Sequence, residues 1–188
     1  DAVASKNGFR MSPEVMAANY AGGTWSEIFD PNGIVNQFPV PVWILAIWAI
    51  GVLAFPYTFV AFRRFADRGY AFAKMVGALA LAWLTWTLAS YQALPFERWT
   101  MFLVLGAMLL GALFIVWRKG GAIAEYLRAN WKLLVIIELV YLAFFAVDLG
   151  IRYGNPDLWH PWFGGEKPMD FAYLNAVIKT TYFPAYNP

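Results

Sequence analysis

The stretch VWILAIWAIGVLAFPYTFVAF, from Val42 to Phe62, decides the fold because its twenty-one residues include no charged side chain. A helix rises about 1.5 Å per residue, so this stretch can cross roughly 30 Å of hydrocarbon. Pro56 lies within it and should kink the helix by removing one backbone donor. A membrane tolerates such a kink where a neighbouring helix or Thr58 satisfies the freed carbonyl group. We therefore predict a first transmembrane helix over Val42 to Phe62.

Three further apolar runs of similar length follow along the chain. They are Ala73 to Leu94, Trp99 to Trp117 and Trp131 to Ile151. Tryptophan stands at both ends of the middle run of these three, as expected for amphipathic rings at the level of the lipid headgroups. Hydrophobic residues make up 61% of the 188-residue chain and charged residues only 14%, which is far from the composition of a soluble domain. The sequence therefore predicts an all-α integral membrane protein with about four transmembrane helices.

Composition also excludes several classes of function. A formal net charge of +2 is too small to indicate nucleic-acid binding, and the basic residues lie beside apolar runs instead of on one face. The absence of cysteine excludes disulfides, cysteine nucleophiles and iron–sulfur clusters, and with His160 as the single histidine, haem is not expected either. The sequence has no Rossmann glycine motif, P-loop or Gly-x-Ser-x-Gly elbow, so the enzymes that use them have no support.

Lysine and arginine in the short loops predict the orientation, because cytoplasmic loops carry the excess of positive charge. The loops after the first and third spans contain Arg63, Arg64, Arg68, Lys74, Arg118, Lys119, Arg128 and Lys132. The other side has six basic residues, five of them in long flanking segments that count for less. We expect a protein of the cell membrane with an exterior N-terminal segment (1–41), a four-helix membrane region (42–151) and an exterior loop with a short helix (152–188).

Three ionisable residues at the fourth span need a structural explanation. Glu138 lies several residues inside the span, where an unpaired ionisable group costs about 2–4 kcal/mol, so we expect a polar partner within hydrogen-bond distance. Asp148 and Arg152 are spaced i to i+4 and can form an ion pair near the exterior end of the helix. We interpret all three as structural polar residues.

The exterior loop carries a motif that resembles a known family. The motif reads GGEKPMDFAYLNA from Gly164 to Ala176 and continues as YFPAYNP from Tyr182 to Pro188. Shorter agreements are Ala66 to Ala71, Leu94 to Phe96, Glu138 with Leu139, and Asn155 to Asp157. Together these residues resemble the YYY membrane-protein family over roughly Gly22 to Pro188. The tyrosine run that gives the family its name should follow Pro188, so we expect this chain to be part of a larger multi-span protein.

The resemblance implies an enzyme, because YYY proteins resemble multi-span glycosyltransferases of the C type, which take a sugar from a lipid-phosphate carrier on the exterior face. In that superfamily the first long exterior loop carries an acidic residue that acts as a catalytic base or as a metal-associated carboxylate. By position the matching residue is Asp170, with Glu166 as its companion. The resemblance leaves a divalent metal open as a cofactor of the intact enzyme, and no metal-ligand set is predicted from the residues themselves.

Both acidic candidates also have a simpler interpretation. Asp170 would accept hydrogen bonds from free backbone N–H groups if it capped a helix that starts at Phe171, and a catalytic role could coexist with this one. Glu166 lies in a Gly/Pro-rich turn and would suit a solvated position. The sequence alone leaves these alternatives open.

Three other residues of the loop are candidates for substrate binding. Lys167 could neutralise a phosphate as a point charge. His160 and Trp162 could contact the substrate near the membrane interface, or they could serve only to anchor the loop there.

Two functions from different classes follow from these observations. The first is a glycosyltransferase that uses a lipid-phosphate sugar donor. The second is a non-catalytic structural or accessory subunit of a larger membrane complex, whose aromatic helices would contact other membrane subunits. Membrane lipid is a partner in both cases, and nucleic acid is a partner in neither.

Overall fold

The computed structural model of the protein describes residues 2–5, 8–11, 32–154, 167–178 and 180–183. Near the N-terminus, β1 (Ala2–Ser5) and β2 (Gly8–Met11) pair as an antiparallel hairpin. The helices of the described residues are α1 (Ile34–Gln37), α2 (Pro39–Ala61), α3 (Tyr70–Ser90), α4 (Arg98–Gly154) and α5 (Lys167–Ile178). Helices α2, α3 and α4 are each long and apolar enough to cross a membrane. The predicted all-α membrane class is confirmed for the candidate spanning elements, and the hairpin is a short addition to it among the described residues.

Helix α2 corresponds to the first predicted span. It begins at Pro39, where a missing backbone N–H is harmless and the fixed φ of proline suits a helix. Pro56 is buried inside the helix and leaves the carbonyl group of Val52 without its usual partner. The Thr58 hydroxyl donates instead to the carbonyl oxygen of Phe55, at 3.1 Å. Thr58 is therefore not the group that satisfies the freed carbonyl.

Helix α3 begins at Tyr70, three residues before the second predicted span, because the preceding loop caps it. Asp67 Oδ2 accepts a hydrogen bond from the backbone N–H of Ala71 at 2.9 Å, and Oδ1 accepts one from Gly69 at 3.2 Å. Gly69 has a φ of 75°, which glycine adopts without strain and which turns the chain into the helix. Lys74, counted above as a loop charge, is consequently a residue of the helix.

Helix α4 contains both of the apolar runs that the sequence assigns to two separate spans. It has 57 residues. A straight helix of this length would measure about 85 Å, almost three times the thickness of the hydrocarbon layer. The prediction of a loop between the third and fourth spans is wrong, because residues 118–130 contain no proline, are rich in helix formers and are helical. The described part of the chain thus has three candidate spanning helices instead of four.

Contacts show that α4 is bent. The carbonyl oxygen of Met108 accepts a hydrogen bond from the Tyr57 hydroxyl at 2.5 Å, while Glu138 lines the same small cavity as Gly51. Tyr57 and Gly51 are about 9 Å apart along α2, whereas Met108 and Glu138 would be about 45 Å apart on a straight helix. Only a bent α4 can make both contacts. Gly120 and the glycine after it lie between the two points, and glycine pairs are common sites of sharp bends.

The chain divides into two compact units. The first contains Asp1–Gln37, Ala82–Val104 and Leu158–Pro188, and the second contains Phe38–Leu81 and Leu105–Asp157. The core of the second unit is a buried cluster of Phe55, Phe59, Ala73 and Ile123. Tyr126 packs edge-on against Phe59, with ring centroids 5.6 Å apart. This cluster joins α2 and α3 to the middle of α4.

The first unit is held together by the segment that follows α5. The backbone N–H of Phe96 donates to the carbonyl oxygen of Thr181 at 2.6 Å. The Phe183 ring packs edge-on against Phe96, with centroids 5.1 Å apart, and against Trp86 at 6.4 Å. The end of α5 is thereby fixed to the loop between α3 and α4.

Single-cysteine labelling tests the predicted orientation, and the chain has no native cysteine to interfere. Ala66 and Gly120 belong to the same end of the second unit, because the Tyr126 hydroxyl donates to the carbonyl oxygen of Ala66 at 2.8 Å. In intact cells, cysteines at these two positions should resist a membrane-impermeant reagent, whereas a cysteine at Tyr153, which is 90% exposed, should react. The reverse pattern would overturn the orientation.

Candidate functional site

The polar centre of the second unit is an ion pair between α3 and α4. Lys74 Nζ donates to Glu138 Oε1 at 2.5 Å, and the two side chains are only 10% and 22% exposed. Among the described residues this is the only pair of opposite charges within 4 Å. Lys74 is therefore the polar partner that the position of Glu138 requires.

Three neighbours shape the environment of Lys74. Its ammonium group lies 4.7 Å from the ring centroid of Tyr141 and 5.5 Å from that of Tyr70, within the range of cation–π attraction. A Cβ atom at Gly51 would lie 2.7 Å from Lys74 Cγ, so the glycine leaves room for the aliphatic part of the lysine side chain. The charge is thus held by a carboxylate and two aromatic rings.

The ion pair lies level with the middle of α2. Gly51, which faces Lys74, is about midway along this 23-residue helix. Ionisable residues at such a depth are rare, are almost always paired and often mark functional positions. The pair is therefore the main candidate for a polar site inside the membrane-spanning region.

A small cavity adjoins the ion pair. Its volume is about 10 Å³, and its walls include Tyr70, Ala73, Gly51, Trp48 and Val52. This volume is about that needed for one water molecule. The ammonium has three donors and the carboxylate two acceptor oxygens, so a water here could bond to both groups. The cavity is too small for a sugar or a phosphate.

Asp170 lies in the first unit, in the first turn of α5, with its side chain exposed. The helix begins at Lys167 rather than at Phe171, because Pro168 suits a first-turn position. The interpretation of Asp170 as an N-cap is therefore wrong. Its negative charge instead lies near the positive end of the helix macrodipole.

Comparison with known proteins identifies the family. The family described as "Uncharacterized membrane protein (DUF2298)" matches residues 80–188, which is more than half of the chain. The chain belongs to the DUF2298 family. These are membrane proteins with a YYY-type domain, so the YYY resemblance is confirmed. No curated protein and no solved structure matches the chain.

The DUF2298 match covers only some of the polar residues described above. It includes Asp170 and Glu138, whereas Lys74 lies before its first residue. It is also shorter than the region over which the motifs resemble the family, which begins near Gly22. The ion pair therefore joins a residue inside the family region to one outside it.

The remaining predicted site residues of this DUF2298 chain are distributed as follows. Glu166, His160 and Trp162 lie outside the described residues. Asp148 and Arg152 are both exposed residues of α4, and the described structure records no ion pair between them. An exposed pair of this kind would contribute little to stability. Within the described ranges, no group of three acidic or histidine side chains could hold a metal ion.

Two features of the site were missed by sequence reasoning. Lys74 was treated as a loop residue, although it lies within the second apolar run and the fourth run also holds a carboxylate. Two opposite charges in different apolar runs are a signal that they pair.

The second feature is the close approach of α2 and α3, where Gly77 faces Ile50 and Ala54. Small residues four apart on α3, Ala73 and Gly77, are the pattern that could have predicted it.

Proposed function

We propose that this chain is part of a membrane glycosyltransferase that takes a sugar from a lipid-phosphate carrier. In this proposal Asp170 lies in one wall of the donor site, on the exterior face, and is the general base. The observation that supports the proposal is the position of Asp170. Its side chain is exposed in the first turn of α5, and the segment after this helix is bonded to the start of the α4 region through Thr181 and Phe96. A solvent-accessible carboxylate on an anchored helix suits a reaction with a membrane-bound donor.

The reaction requires one proton acceptor near the acceptor substrate. Asp170 accepts the proton of an acceptor hydroxyl while the oxygen of that hydroxyl bonds to the anomeric carbon of the sugar. The bond between this carbon and the phosphate oxygen breaks, and the carrier phosphate leaves with the electron pair. Glycosidases use carboxylates in the same way to activate an attacking oxygen.

Other loop residues take supporting roles in this proposal. Lys167 neutralises the leaving phosphate, while His160 and Trp162 bind the sugar–phosphate near the membrane interface. Glu166 is the companion carboxylate of Asp170. A divalent metal, which the superfamily resemblance leaves open, is assigned no step in this proposal.

Replacing Asp170 with asparagine tests the proposal. Loss of the base should reduce transfer from a polyprenyl-phosphate sugar at least 100-fold, because general-base catalysis typically contributes about 10²–10⁴-fold. Folding should be nearly unchanged, since a first-turn charge contributes only about 0.3–1 kcal/mol. Transfer is measured in membranes containing the intact protein, and thermal unfolding is followed in detergent.

Asp148→Asn is the matched control, because Asp148 is also an exposed carboxylate of a described helix. It should retain transfer. Full activity of Asp170→Asn, or an equal loss in the Asp148 variant, would contradict the proposal. Unfolding of the Asp170 variant would assign this carboxylate a structural role.

A second candidate is a structural or accessory subunit of a membrane complex. The low burial of the spanning helices favours this candidate. Only 33% of the most apolar stretch of α2 is buried, and the buried share of the corresponding stretch is 22% in α3 and 22% in α4. The uncovered surface must face lipid or other membrane helices. For such a subunit, Asp170→Asn would leave the activity of the complex unchanged.

A further inference from the structure

The structure brings together two basic segments that are separated by about fifty residues in sequence. The loop between α2 and α3 is joined to the middle of α4, because the Tyr126 hydroxyl donates to the carbonyl oxygen of Ala66 at 2.8 Å. The same tyrosine packs against Phe59, and Ile123 is part of the buried cluster beside it. We call the basic residues on these two segments the basic end of the second unit. They are Arg63, Arg64, Arg68, Arg118, Lys119 and Arg128.

Within the described part of the chain, the charges of the basic end are not neutralised by ion pairs. Five of the six basic side chains are exposed, and Arg68 is half-buried with its guanidinium 5.2 Å from the ring centroid of Phe59. None of the six forms an ion pair within 4 Å among the described residues. The acidic residues of the same segments are Asp67, which caps α3, and Glu125, so six positive and two negative charges leave a net charge of +4.

Exposed aromatic side chains accompany these charges. Trp117 is 76% exposed, and the guanidinium of Arg118 lies 5.9 Å from its ring centroid. Phe65 is 50% exposed and follows Arg64 directly in the sequence. Tryptophan beside arginine is typical of the boundary between hydrocarbon and lipid headgroups. The basic end therefore has the composition expected where a membrane-spanning unit meets the headgroups.

We propose that the basic end is a binding surface for anionic phospholipids. The net positive charge of the two segments matches the phosphates of the headgroups, while Trp117 and Phe65 can contact the adjoining acyl chains. The proposal is independent of the function of Asp170, since none of these residues belongs to α5. Free phosphate would meet the same charges, but it would leave the exposed aromatic rings without a partner.

The test compares lipids at the surface of the intact chain in reconstituted vesicles. Spin-labelled phosphatidylglycerol and phosphatidylcholine report the fraction of each lipid that is immobilised by the protein. The wild-type chain should prefer phosphatidylglycerol. Arg64→Gln/Arg128→Gln should lose most of this preference, by about fivefold for each arginine that contacts a headgroup.

The matched control is Arg98→Gln/Arg152→Gln, which removes the same charge from two exposed arginines outside the basic end. It should keep the preference for phosphatidylglycerol. Excess inorganic phosphate at constant ionic strength should not abolish that preference. An unchanged preference in the Arg64/Arg128 variant, an equal loss in the control, or displacement of the lipid by phosphate would each overturn the proposal.

Discussion

Replacing Lys74 with methionine should destabilise the protein by about 3–5 kcal/mol, the usual result of removing one partner from a buried ion pair. The substitution keeps most of the apolar volume of the side chain but leaves Glu138, which is only 22% exposed, without its cation. An uncompensated carboxylate at the level of the middle of α2 is costly, because at most a few water molecules can solvate it there. The loss should appear as a lower unfolding midpoint in detergent.

The double variant Lys74→Met/Glu138→Met provides the control. It removes both charges, so no buried charge is left unpaired, and its stability should return to near that of the wild type or above it. A loss in the double variant equal to that in Lys74→Met would show that the contacts of the lysine side chain, and not the unpaired carboxylate, cause the effect. No loss in the single variant would mean that the pair is solvated in the folded protein.

The need for a partner of Glu138 could be predicted from the sequence, but the identity of that partner could not. A carboxylate in an apolar run must be paired, and this follows from the physics of the bilayer alone. Lys74 was assigned to a loop because the start of α3 depends on Asp67 and Gly69, whose hydrogen bonds and backbone conformation extend the helix to Tyr70. Counting hydrophobic residues does not detect such a cap.

The hydrophobic pattern predicts where the helices lie, but it does not predict where they begin and end. The apolar runs located α2 and α3 to within a few residues, because burial in lipid requires a continuous apolar stretch. Residues 118–130 were expected to form a loop because they separate two apolar runs and carry three basic side chains, yet the bend in α4 occurs without loss of helical structure. Charge indicates where a chain leaves the hydrocarbon, and it does not indicate that a helix ends there.

The candidate catalytic loop was predicted from motif residues rather than from physical pattern. Of its candidates, the structure describes the side chain of Asp170 and places it inside the first turn of α5. A start at Lys167 follows from Pro168, which fits the first turn better than any later position. The role of the carboxylate depends on its substrate, and neither helix propensity nor hydropathy identifies a substrate.

The contact between α2 and α3 depends on the absence of a side chain at Gly77. A Cβ atom there would lie 2.6 Å from Ile50 Cγ2, 2.9 Å from Ala54 Cβ and 2.9 Å from the carbonyl oxygen of Ile50. The first of these atoms can move with its side chain, whereas the carbonyl oxygen belongs to the backbone of α2. Any side chain at this position must therefore push the two helices apart.

Gly77→Leu should lower the free energy of unfolding by about 3 kcal/mol, and Gly77→Ala by about 1 kcal/mol, because overpacking a tight contact typically costs 1–3 kcal/mol or more. The alanine result is informative because alanine favours a helix over glycine by about 1 kcal/mol, which partly offsets the clash. Gly106→Leu and Gly106→Ala are the controls. Gly106 is also helical, but a Cβ there meets nothing within 4 Å, so both changes should leave stability equal or improved. Unfolding in detergent measures all four variants, and a Gly77→Leu protein as stable as Gly106→Leu would show that α2 and α3 do not need this close approach.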